Sequence, residues 1–200
     1  MGTIYSIGFK NKNKSLYKLG HGQAFSATHN YIYAIANDHL VRHSSQSEEI
    51  MQISKKDLQI KRIWIFKIWN KSAKDGRYMH NATFLNDNKF VAVYHSSTKH
   101  RFEYWKVTRH GDSWQPVEIG ATKGEFMRNN SPVQGIAYDK KRAHIYLALN
   151  DYLFKVNHDG MVLANGRFHT GREFEGICVN NSHLYAELAQ RPELLHQKIK

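Results

Sequence analysis

With 200 residues, 41% of them hydrophobic and 23% charged, the chain carries enough apolar side chain for one sizeable core. That balance excludes an intrinsically disordered protein, a helical membrane protein and a disulfide-stapled miniprotein. Lysine and arginine number 29 against 17 acids, a net charge of +12, and 13 histidines can add more below about pH 6.5. Polyanions are therefore favoured partners, whether nucleic acid, wall teichoic acid or an anionic membrane.

A single cysteine, Cys178, excludes an intramolecular disulfide and a multi-cysteine zinc site. Its apolar neighbours predict a small core residue. Residues 1–10 lack the basic start, apolar run and small-residue cleavage site of a standard secretory signal, so export would need another route. The longest apolar segment, 62–69, is interrupted by Lys67 and too short to cross a bilayer; no transmembrane segment is expected, and it reads as a buried strand. Three prolines and the absence of a low-complexity linker point to one domain over residues 1–200.

In chain order, short β-like runs dominate. Residues 3–9 or 16–19 supply a first candidate. The run 22–25, a turn at Thr28-His29-Asn30 and the run 31–35 read as a hairpin, followed by strands at 49–53 and 62–69. Segment 47–60 also admits a helix, with Ser47, Glu48 and Glu49 at its start and Ile50, Met51, Ile53 and Leu58 as its apolar face. The same order recurs: 80–84, Asn86-Asp87-Asn88, 90–94, then 102–108 and 115–119. It recurs again as 133–138, a turn at 139–142, 145–149, then 152–157, His158-Asp159-Gly160 and 161–167. A last hairpin, 174–179 and 184–188 about Asn180-Asn181-Ser182, is followed by 194–198.

Each first strand opens with a polar residue and then a small one, and each second strand is rich in aromatic and branched residues. The polar anchors Gln23, Asn81, Gln134 and Glu175 recur at intervals of 58, 53 and 41 residues. Four strands per repeat is the content of a propeller blade, so the expected fold is an all-β propeller of four antiparallel four-stranded blades. The amino-terminal strand would complete the last blade. A β-sandwich would bury the same strands but leaves the recurrent polar residue unexplained.

The stretches Gly20-His21-Gly22-Gln23, Tyr78-Met79-His80-Asn81-Ala82, Pro132-Val133-Gln134-Gly135-Ile136-Ala137-Tyr138-Asp139 and Arg172-Glu173-Phe174-Glu175-Gly176-Ile177 resemble, in the same order, stretches of the helveticin J family, class III bacteriocins of lactic acid bacteria. The resemblance runs over roughly residues 4–200. It implies a heat-labile antibacterial protein, secreted or at the cell surface, and carries no catalytic residues across. It also implies a further amino-terminal blade in longer relatives, which would make this chain part of a five-bladed ring.

If the anchors open the innermost strands, Gln23, Asn81, Gln134 and Glu175 converge on the central channel with His21 and His80 beside them. Amides that donate and accept could grip sugar hydroxyls there, or simply cap crowded backbone. One carboxylate among amides makes a poor calcium cage. His39 and His43, and His95 and His100, lack the acid of a zinc-protease pattern and read as solvated loop residues, so neither metal nor cofactor is expected. Glu173 and Glu175 flank Phe174 and could form a carboxylate pair for glycoside cleavage. The basic stretches 10–18, 55–62 and 67–77 include Tyr17, Trp64 and Trp69, a mixture suited to nucleic acid but without a recognised motif, so that partner is not favoured.

The sequence thus leads to a helveticin J-like, non-enzymatic binding protein for a cell-wall glycan or teichoic acid. Its alternatives are a propeller hydrolase acting on a sugar or lactone, and an intracellular, cytoplasmic interaction scaffold.

Overall fold

In a computed structural model of the chain, residues 3–4, 17–18, 21–37, 48–66, 78–96, 99, 101–122, 133–169, 171–189 and 193–199 are described. Every regular element among them is a strand. Strands β1 (Thr3–Ile4) and β2 (Tyr17–Lys18) pair with each other as a small ribbon. The remaining strands form four antiparallel sheets, each a meander in chain order. Blade 1 holds β3 (His21–Ala27), β4 (Tyr31–Asn37), β5 (Glu48–Ser54) and β6 (Ile60–Phe66). Blade 2 holds β7 (Tyr78–Asn86), β8 (Lys89–Ser96), β9 (Arg101–His110) and β10 (Ser113–Thr122). Blade 3 holds β11 (Val133–Asp139), β12 (His144–Leu149), β13 (Tyr152–Asn157) and β14 (Val162–Arg167). Blade 4 holds β15 (Phe174–Asn180), β16 (His183–Leu188) and β17 (Glu193–Lys198).

The innermost strands β3, β7, β11 and β15 lie side by side around one axis, which makes the molecule a four-bladed β-propeller. One expectation needs correction and one alternative is settled. The last blade has three strands among the described residues, because β1 and β2 hydrogen-bond to each other and not to β17. The strand expected at 49–53 is present as β5, paired with β4 and β6, so the helix alternative for that stretch does not hold over the described residues 48–60.

The second strands of blades 2 and 3 are almost wholly buried because both their faces are covered. In β8, Phe90, Ala92 and Tyr94 pack toward blade 1, whereas Val91 and Val93 join the cluster shared with blade 3. Blades 1 and 2 meet over aromatics: Tyr33 stacks on Phe84 with centroids 3.9 Å apart, and Trp64 meets Trp114 edge to face at 5.6 Å. Tyr33 Oη donates to Asp87 Oδ1 at 3.2 Å, Thr28 Oγ1 donates to the same oxygen, and Gln52 Nε2 donates to Tyr33 Oη at 2.7 Å. Burial, with the Asp87 charge adding to it, pushes the Tyr33 hydroxyl up to about 12.

Packing thins toward blade 4, which meets blade 3 through the small cluster of Ala148, Phe174, Ala186 and Leu188. No buried cluster among the described residues joins blade 4 to blade 1. This explains two further departures from expectation. Cys178 is exposed, because the face of β15 that carries it is uncovered. Strand β6 is half-buried rather than fully buried: Trp64 and Phe66 face blade 2 while Ile63 and Ile65 face solvent.

Candidate functional site

The recurrent polar residue has a structural cause. Each inner strand carries a β-bulge at the same place: the register shifts between Gly22 and Ala24, Met79 and Asn81, Val133 and Gly135, and Phe174 and Gly176. The residue left out of the ladder is Gln23, His80, Gln134 or Glu175. In blade 2 the bulged residue is therefore His80, and Asn81 is its neighbour. The small residue that follows is explained in blade 3. A Cβ on Gly135 would sit 2.9 Å from the backbone nitrogen of Ile177, so adjacent inner strands approach too closely there for a side chain.

Two of the six sequence-derived candidates are joined by a hydrogen bond. Asn81 Nδ2 donates to the Gln134 carbonyl at 3.2 Å, and Asn81 Oδ1 accepts from the Ala82 amide at 2.9 Å. Gln134 Nε2 reaches Asn150 Oδ1 at 3.4 Å, and Asn150 Nδ2 reaches Glu173 Oε1 at 3.4 Å, so a polar chain runs across blades 2, 3 and 4. Glu175 is exposed on its bulge. Residues His21, Gln23 and His80 are described in their backbones only, and their side chains lie outside the described residues, as do His39, His43 and His100. His95 rests against Phe102. No group of three His, Cys, Asp or Glu residues converges among the described residues.

A cavity of about 790 Å³ opens at the opposite end of the inner strands, where they enter their hairpin turns. All four blades line it: Phe25 and Ile32, Leu85, Ile136, and Ile177 with Cys178. Neither Glu173 nor Glu175 lines it. His29 on its rim also lines a groove formed by Lys55, Lys56, Lys61 and Arg62, and Arg62 in turn borders a recess with Arg109. Hairpin turns from separate parts of the sequence thus bring a row of basic side chains together between the axis and the edge of blade 2. The acids beside it are engaged: Asp57 holds Lys61 at 2.8 Å and Asp112 holds Arg62 at 2.9 Å. Asp57 is held down to about 2, chiefly by its hydrogen bond from Lys61.

Glutamates gather at the other ends of the strands. Glu103, Glu118, Glu173, Glu175, Glu187 and Glu193 all lie away from the hairpin turns of the cavity face. That turn face also carries His144 and His158, the latter stacked on Tyr138 at 5.2 Å. His144 Nδ1 and His158 Nε2 are buried without a hydrogen-bond partner among the described residues. Burial first, then Lys155 and Arg142 around His144 and Lys106 and Lys89 around His158, pull both imidazoles below the ordinary 6.5, against Asp139 and Asp159. A depressed folded-state pKa means that the unfolded chain binds more protons, so this stabilisation is complete above about pH 6.5 and is lost as pH falls through the folded values. Urea midpoints should therefore fall between pH 7.5 and pH 5, and the double variant His144→Gln, His158→Gln should flatten that slope.

No protein-family model matches the chain, and no curated protein sequence matches it. Solved structures do. The computationally designed Ika4 protein is similar at 13% identity over 92% of this chain and 94% of its own, with a TM-score of 0.50. The β-propeller domain of Cps50 (Swd1) from Myceliophteria thermophila is similar at 9% identity over 84% of this chain and 49% of that one, TM-score 0.54. Raptor from Chaetomium thermophilum matches at 11% identity over 98% of this chain and 18% of that one, TM-score 0.50. These likenesses establish a shared fold. The chain spans half or less of the two natural proteins, and identities this low carry no function with them. No helix among the described residues is long and apolar enough to cross a membrane.

Proposed function

We propose that the chain is a non-catalytic interaction module whose turn face holds an acidic partner protein. The observation that carries this reading is the row of His29, Lys55, Lys56, Lys61, Arg62 and Arg109 leading from the axis. Tight hairpins present it, so little ordering is needed on binding, and a track whose cations outnumber the acids paired with them, Asp57 and Asp112, steers an acidic partner. Polyglutamate is the simplest probe. It should be retained at low salt and released as salt is raised, with affinity reduced roughly tenfold or more by the combined reversal Lys55→Glu, Lys56→Glu, Arg62→Glu. The control Arg167→Glu, on the far face, should leave it unchanged. Equal loss in both variants, or no retention by the unaltered protein, overturns the reading.

A second reading follows the resemblance of the inner-strand repeat to helveticin J. On it, the same basic track takes the phosphates of wall teichoic acid, and the protein works at the bacterial surface after export without a standard signal peptide. Purified cell walls would then retain the protein only while they carry teichoic acid, and retention independent of that polymer would turn the reading down. Glycan release that Glu175→Gln abolishes would instead favour a hydrolase over either binding role.

A further inference from the structure

The axial cavity offers something that a charged track alone does not use. Its walls are mainly apolar, and the inner-strand position two past the bulge supplies Phe25, Ile136 and Ile177 to them from blades 1, 3 and 4. Blade 2 carries the small Ala82 at the same position. Phe25 is left 52% exposed there. The rim carries one carboxylate, Asp87, which accepts from Tyr33 and Thr28, and one ammonium, Lys140, which has no ion-pair partner among the described residues; counted with the groove beyond His29, the cations outnumber the acids. His29 lines both the cavity and the groove of Lys55, Lys56 and Arg62, so the two lie side by side. A group seated in the cavity therefore has cationic side chains beside it.

We infer that the axial cavity is a specificity pocket that receives one aromatic or branched aliphatic side chain of an acidic protein segment, whose carboxylates lie along Lys140, Lys55, Lys56 and Arg62. This rests on the interaction-module reading and adds to it what distinguishes one acidic partner from another. An uncharged apolar ligand would leave the cations unused. A phosphate polymer would leave Phe25, Ile136 and Ile177 uncovered, because it has no apolar group to bury. Burying one phenyl ring against such walls is enough for a preference of about tenfold or more over alanine.

Two blocked pentapeptides test this on the full chain: four glutamates around a central phenylalanine, and four around a central alanine. The phenylalanine peptide should bind about tenfold tighter by calorimetry. Phe25→Ser should erase that preference, and Lys140→Glu should weaken both peptides together. Cys178 gives a second arm that needs no substitution, being exposed, unique and on the cavity wall. A bulky maleimide attached to it should remove the preference and leave the alanine peptide's affinity unchanged. Equal affinities for the two peptides, including equally undetectable binding by protein that still retains polyglutamate, overturn the pocket alone. Loss of polyglutamate retention as well overturns the reading beneath it. A free phenylalkyl carboxylate that binds as tightly as the peptide assigns the cavity to a small molecule and also overturns the inference.

Discussion

Replacing Glu103 by alanine is expected to destabilise the fold by about 3 kcal/mol, seen as a lower urea midpoint at unchanged slope. Its side chain is fully buried. Its Oε1 accepts from Lys99 Nζ at 3.3 Å and from Arg101 at 3.0 Å, and Oε2 accepts from Trp105 Nε1 at 3.2 Å. Alanine leaves the Trp105 N–H and Arg101 Nε without the acceptor they share and opens a void beside them. The size of the effect comes from what is stranded, not from the worth of the ion pair, since a buried pair exchanged whole for apolar residues can be neutral. Glu118, which accepts from the same Arg101 Nη2 at 2.5 Å but is a third exposed, is the natural contrast. Glu118→Gln should cost less than about 1 kcal/mol.

Truncating Phe84 to alanine should cost about 3–5 kcal/mol by the same measurement. The ring is 4% exposed, stacking on Tyr33, tilting on Phe90 at 5.0 Å and meeting Trp114 edge to face at 6.0 Å. Removing it empties the seam between blades 1 and 2, where Tyr33, Thr28 and Asp87 already fix the backbone and limit collapse into the gap. Phe168, which packs on Phe174 beside the last blade and is 44% exposed, should lose less than half as much on the same substitution. Near-equal losses would mean that the four blades are welded equally, against the thinning of the core toward blade 4.

The strands are legible in the sequence because alternation and turn residues agree locally. Asn181 and Ser182, for example, both take the positive φ that a two-residue hairpin turn needs, at 46° and 60°. The repeat is legible too, although its physical origin is not: a bulge follows from ladder register, and nothing in Tyr78-Met79-His80-Asn81 says which of two polar neighbours is left out of the ladder. The three strands that the described residues give the last blade, and the exposure of Cys178, are hidden for a related reason. An apolar strand looks the same in sequence whether one of its faces is covered or both. The basic stretch 55–62 stands out in the sequence, but its union with His29, Arg109 and the cavity depends on which ends of the strands share a face. Topology alone brings those turns together.

Hydrogen exchange of the full chain with and without polyglutamate is the most direct measure of where binding occurs. Protection is expected over residues 28–30, 55–62 and 109–112, with residues 172–176 and 186–189 on the far face unchanged. Protection confined to the far face, or spread evenly over both, would contradict a binding surface built from the hairpin turns.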